Sequence, residues 1–171
     1  MKDLLIKSVE NIHTISLLVA NKPGVLVRVS LIFSRRGFNI ESLVVSPALD
    51  GRFSRMTITA QGDKGTLEQI IKQAAKLVDV VAAHEHTDAH AVEKELALIK
   101  VAVKDENRGE LLQVISHFKG QTVDLAQNSL VIQLTGSTEK LDAAVEMLCS
   151  YGIIEIVRTG KIVMARGKER T

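Results

Sequence analysis

The chain has 171 residues, 46% of them hydrophobic and 25% charged, a globular balance with room for one ordinary domain or two small ones of roughly 80 residues each. A formal net charge of +2 supplies no ground for a nucleic-acid partner, and the lone cysteine, Cys149, excludes an intramolecular disulfide and any Cys-x-x-Cys metal or redox site. No stretch reads as a secretion signal or approaches a membrane span, so a cytoplasmic protein without membrane contact is expected; a mean hydropathy of +0.14 is apolar for domains so small and predicts a subunit interface.

Met1 to Glu10 is a mixed-charge lead-in that either extends the first sheet or is loosely held. His13 to Ala20 is short, apolar and β-branched, as a buried strand should be. Val25, Leu26, Val29, Ile32 and Phe33 then recur at helical spacing, with Gly37 placed to close the helix. Between them, Asn21-Lys22-Pro23-Gly24 forms a loop whose glycine leaves backbone N–H groups bare at a helix N-terminus, a corner that attracts a carboxylate or phosphate. Asn39 to Ser46 is a strand, Asp50-Gly51 a hairpin turn, and Phe53 to Ala60 the returning strand, with Met56 and Ile58 on one face and Arg55, Thr57 and Thr59 on a half-solvated other. Leu67, Ile70, Ile71, Ala74 and Leu77 mark a second helix and Asp79 to His84 a fourth strand, so the order is βαββαβ.

Glu85 to Lys94 is polar and charged and reads as a boundary, after which the order repeats. Leu96 to Val103 is a strand, Leu111, Leu112, Ile115 and Phe118 a helix stopped by Gly120, and Gln121 to Leu125 with Ser129 to Thr135 a hairpin. Thr138 to Cys149 is a helix and Ile153 to Val157 a last, central strand. The fold class is therefore α+β, two tandem ferredoxin-like βαββαβ domains over residues 11–87 and 93–165, each an antiparallel sheet with helices on one face. The opposite face must be polar or packed, with Leu18, Val44 and Val80 as candidates to lie there. The tail from Arg158 to Thr171 is basic and reads as a solvated end.

Chemistry-bearing motifs are scarce. No Gly-x-Ser-x-Gly, His-Glu-x-x-His or phosphate-loop pattern occurs, and His13 and His117 stand alone, so an enzyme is not expected. His84, His86 and His90 alternate as metal ligands on a strand can, but no carboxylate or cysteine completes the set, and no metal site is expected. The βαββαβ sheet also serves RNA recognition, yet only 3% of residues are aromatic, too few to stack bases. A metal carrier of the same fold would want paired cysteines where this chain has Asn21 and Gly24.

The loop Asn-x-x-Gly-Val-Leu from Asn21, followed by a helix and by Arg36-Gly37-Phe38-Asn39-Ile40-Glu41-Ser42-Leu43, resembles the ACT domain of acetolactate synthase small, regulatory subunits. The likeness continues through Ser54–Ile58, Gln73–Val80, Glu95–Val101, Phe118–Gly120 and Thr135–Asp142, nearly the whole chain. The resemblance implies a non-catalytic subunit that activates a large catalytic subunit and confers feedback inhibition by valine in branched-chain amino-acid biosynthesis. It places thiamine diphosphate, Mg and FAD on the large subunit and no cofactor in this chain. The effector would lie between ACT domains of a homodimer, with Asn21, Gly24 and Val25 from one protomer and Asn39 and Ile40 from its neighbour. A free-standing ACT-type amino-acid sensor with another target remains the alternative.

Overall fold

A computed structural model describes residues 12–86, 91–168 and 171; the lead-in before Ile12 and His90 lie outside the described residues. Two compact units are formed, the first running up to Glu93 and taking in Gly160–Thr171, the second Lys94–Thr159. Residues 160–165, assigned by sequence to the second domain, therefore pack with the first.

The first unit follows β1 (Ile12–Ala20), α1 (Val25–Ser34), β2 (Asn39–Pro47), β3 (Phe53–Gln61), α2 (Lys64–Ala74) and β4 (Val80–Glu85). Its antiparallel sheet has the order β2-β3-β1-β4. Strand alternation sends Ile15, Leu17 and Val19 of β1 and Met56, Ile58 and Ala60 of β3 toward the helices, where Val25, Val29, Phe33, Leu67 and Ile70 complete a buried core. Each fully buried aliphatic or aromatic side chain contributes about 1.5–3 kcal/mol, so this stripe dominates the unit's stability. Asp63 starts α2 by accepting from the N–H of Thr66 at 2.8 Å. Val80 packs on this helix-side core and not on the opposite face, because the β1–β4 register shifts between Leu18 and Val19.

The second unit repeats the scheme. β5 (Ala91–Ala102), α3 (Arg108–His117), β6 (Gln121–Leu125), β7 (Ser129–Gly136), α4 (Thr138–Cys149) and β8 (Ile153–Arg158) are followed by β9 (Ile162–Ala165). The sheet runs β6-β7-β5-β8, with β9 also paired to β5. Ala97, Ile99 and Val101 of β5 and Leu130, Ile132 and Leu134 of β7 bury against Leu111, Ile115, Leu141, Ala144 and Leu148. β8, expected as a central strand, lies at one end of the β6-β7-β5-β8 order, and four of its six residues are exposed. Each half is thus a ferredoxin-like βαββαβ unit.

Two sequence expectations fail for one reason. The charged stretch read as a boundary is in part strand, since β5 begins at Ala91, and the basic tail is not solvated at its start, where Arg158 and Lys161 are paired, although Arg166 and Lys168 are exposed. Glu93 receives Lys161 at 3.0 Å, while Glu95 receives both Nε and Nη2 of Arg158 at 2.8 Å. Charges two apart on β5 are thus matched by cations distant in sequence, so what reads locally as solvated polarity is paired structure.

The face of the first sheet away from its helices is also not half-solvated. Thr14, Ser16, Thr57 and Thr59 are all buried. Gly160 is seated on Ser42 and Val44, Arg55 donates to the carbonyl of Thr171, and Ser16 Oγ lies 2.6 Å from His86 Nε2. The segment after β8 forms a strap over this polar face.

Candidate functional site

The β1–α1 corner is built by local backbone chemistry. The Asn21 N–H donates to the Arg52 carbonyl at 2.8 Å and its Nδ2 to the Gly51 carbonyl at 3.0 Å, tying the loop to the β2–β3 turn and leaving Oδ1 as the side chain's acceptor. Gly24 is the N-cap of α1, with φ +83° and no side-chain cap. The Val25 N–H reaches the Lys22 carbonyl only at 3.4 Å, and the first helical bond runs from Arg28 to Gly24 at 3.1 Å. Among the described residues no acceptor meets the N–H groups of Gly24, Leu26 or Val27. Uncapped donors and the positive end of the helix dipole make this corner favourable for an anion.

Arg28 was not among the residues singled out by sequence. Its guanidinium Nη1 would stand 3.3 Å from a Cβ placed on Gly24, and its Nη2 pairs with Asp79. The signal was available: residues four apart share a helix face, so a cation four places after the loop glycine overhangs the helix start. Asp79 holds the arginine in place and offsets part of its charge.

Asn39 and Ile40 stand elsewhere. With Ser30, Phe33, Ser34, Gly37 and Phe38 they line a shallow, wide-mouthed depression of about 470 Å³ at the C-terminal end of α1. Asn39 Nδ2 donates to Glu41 at 2.9 Å. The register quantifies the separation: Ala20 pairs with Phe53 at one end of β3 and Asn39 with Gln61 at the other, eight residues or about 26 Å along the strand. α1 alone, with ten residues, spans about 15 Å. One chain therefore brings Asn21, Gly24 and Val25 together and sets Asn39 and Ile40 at the far end of the same helix.

The Ser16–His86 pair resembles an activated nucleophile, but Ser16 is only 1% exposed, so no substrate reaches its hydroxyl. His86 is held below the ordinary imidazole range, by burial first and then by His84 and Arg55, with Glu93 opposing. Among the described residues no group of three or more histidine, cysteine or acidic side chains converges as a metal would need, and no helix is long and apolar enough to cross a membrane.

Comparison with known proteins bears on both halves. Residues 15–82 match the family model described as AHAS small subunit-like ACT domain, and residues 94–167 that described as small subunit of acetolactate synthase. A probable acetolactate synthase small subunit of Archaeoglobus fulgidus is 45% identical over 158 residues, covering 92% of this chain and 99% of the relative. The chain belongs to the acetolactate synthase small-subunit family. The acetolactate synthase small subunit of Mycolicibacterium smegmatis is likewise 45% identical, with 91% of each chain covered. The crystal structure of the acetolactate synthase small subunit from Thermotoga maritima superposes with a TM-score of 0.83 at 40% identity, over 93% of this chain and 99% of that one. Within the small-subunit family the β1–α1 corner described above belongs to the ACT domain, and the match extends through the second unit.

Proposed function

We propose that this chain is the non-catalytic, regulatory subunit of an acetolactate synthase, raising the activity of a large catalytic subunit and making it sensitive to feedback by valine. The observation that carries the reading is the division of the site residues. One end of α1 offers uncapped N–H donors at Gly24, Leu26 and Val27 and a nearby guanidinium, and the other end offers Asn39 and Ile40 beside an open depression. Each chain has both halves but keeps them apart, which is what an effector held between two copies requires. The donors around Gly24 and Val25 take the α-carboxylate of valine, asparagine oxygens from Asn21 of one protomer and Asn39 of its neighbour take the ammonium, and Ile40 flanks the isopropyl group. Leu26, Val27 and Leu31, all exposed on α1, supply apolar surface for the homodimer contact.

Thiamine diphosphate, Mg and FAD belong on this reading to the large subunit, and this chain needs none of them. The match of the second unit to the small-subunit family favours this reading over a free-standing amino-acid sensor, which would need only the first. The test is a pull-down from native extract followed by pyruvate condensation assayed with and without the chain and with each branched-chain amino acid. Capture of the large subunit, higher turnover on adding the chain, and inhibition strongest with valine are expected. A purified chain that condensed pyruvate by itself, ran as a monomer at micromolar concentration, or left turnover unchanged would overturn the proposal.

A further inference from the structure

The strap over the first sheet touches the strand that carries Asn39 and Ile40. Among the described strands β2 pairs with β3 alone, at one end of the order β2-β3-β1-β4, and its register slips between Ile40 and Ser42. An edge strand with a bulge beside its functional end is poorly determined by its ladder alone. Just past the bulge, Gly160 is buried and lies so close that a Cβ there would stand 2.6 Å from Ser42 Cβ and 2.7 Å from its Oγ, with Val44 Cγ2 at 3.7 Å. Gly160 also has φ +81°, so only glycine meets both the contact and the backbone angle without strain.

The strap is anchored on both sides of that contact. Thr159 donates to the Leu96 carbonyl at 3.0 Å, Lys161 pairs with Glu93 at 3.0 Å, Val163 is buried, and beyond β9 Arg55 reaches the Thr171 carbonyl. We propose that the Gly160–Ser42 contact is a positioning device: the strap presses β2 into the register that presents Asn39 and Ile40, although neither Gly160 nor Ser42 touches the effector. The effector's grip on β2 is then set in part by a segment that lies far from it in sequence. The inference rests on the valine-site reading given above.

Gly160→Ala introduces the clash, Gly167→Ala on the same strap imposes a comparable backbone angle (φ +72°) with nothing within 4 Å, and Ser42→Gly combined with Gly160→Ala removes the obstructing atoms. Each full-length variant is measured for amide exchange of β2 without amino acid, for valine binding by calorimetry, and for valine inhibition in the complex with the large subunit. Gly160→Ala is expected to speed β2 exchange and weaken valine binding by about tenfold or more. Gly167→Ala is expected to change neither, and the double variant to recover most of both. Should Gly160→Ala not fold, Lys161→Gln loosens the strap without a backbone change and is expected to shift the same two readouts in the same direction.

β2 exchange and valine affinity unchanged in Gly160→Ala, or lost equally in Gly167→Ala, would overturn the positioning role, as would failure of Ser42→Gly to restore them. An unaltered chain that bound no valine would instead sink the effector reading, with β2 exchange still deciding whether the strap holds the strand.

Discussion

At the scale of single residues, Gly24 joins a left-handed backbone to the start of α1. Its φ of +83° costs an ordinary L-residue about 1–2 kcal/mol, whereas asparagine and aspartate tolerate the left-handed region better. Alanine there would mix backbone strain with crowding against Arg28, so the cleaner pair is Gly24→Asn and Gly24→Asp, alike in size and differing in charge. The carboxylate would compete with the effector's own for the helix N-terminus. Calorimetric titration with valine should therefore find Gly24→Asn within about tenfold of the unaltered chain and Gly24→Asp weaker by about a hundredfold. Activation of the large subunit should survive in both. Equal losses in the pair would mean that strain, not charge, governs the corner.

His86 gives a pH dependence whose sign follows from its surroundings. Burial, His84 and Arg55 depress its pKa against Glu93, so the unfolded chain binds the proton more readily than the folded one. The stability it contributes is complete above the ordinary imidazole value of about 6.5 and declines as the pH falls through that value toward the lower folded one. The melting temperature should drop between pH 7.5 and 5.5 by more in the unaltered chain than in His86→Gln. Identical drops would show that the histidine is not held neutral by its setting.

Elements are joined by charges whose partners are remote. Glu95 on β5 is only 6% exposed, is met in two places by Arg158 of β8 and also by Thr138 Oγ1 at 3.3 Å. Arg158 in turn reaches Asp142 of α4. Burial opposes its charge, but the hydrogen bonds to Glu95 and Asp142 prevail and hold its pKa above the usual value. The guanidinium thus brackets two strands and a helix. Removing it strands a buried carboxylate, so Arg158→Met should cost about 3 kcal/mol in urea unfolding. Adding Glu95→Gln should recover much of that loss. A cost below about 1 kcal/mol would mean that water reaches Glu95 once the arginine is gone.

For the whole molecule, the strap alters what a truncation means. The ligand loop lies wholly in the first half, which by sequence argues that residues up to about His86 suffice for contact with the large subunit and that loss of the rest blunts feedback. The first unit, however, includes Gly160–Thr171, and cutting after Thr159 removes the contacts of Gly160 with Ser42 and Val44 and of Thr171 with Arg55 on the polar face of the sheet. The helix-side core is untouched by that cut, so the shortened chain should still fold. It should melt several degrees lower, with faster amide exchange in β1 to β3. An unchanged melting temperature would show that the strap is merely laid on the sheet.

Sequence by itself determined the elements and the layers, because helical and strand periodicities are local: Val25, Val29 and Phe33 lie on one helix face, and Ile15, Leu17 and Val19 on one strand face, whatever the surroundings. The asparagine–glycine loop was legible for the same reason, being a short motif that ends at a helix start. Tertiary structure alone decided the rest. The threonines of the first sheet are as polar as a solvated face would be, yet they are buried, and the chain returning from Gly160 meets Ser42, Val44 and Arg55 on that face. Glu93 looks like part of a linker, and Glu95 beside it like an exposed charge, until Lys161 and Arg158, more than sixty residues away, are brought alongside. That Asn21 and Asn39 flank one helix was legible too, since the loop opens that helix and Gly37 closes it; what the sheet adds is that they stand level with opposite ends of β3. Their distance follows from strand register, and although the β2–β3 turn is local, the pairing of β3 with β1 joins strands more than thirty residues apart and is settled only when their apolar faces meet across the sheet.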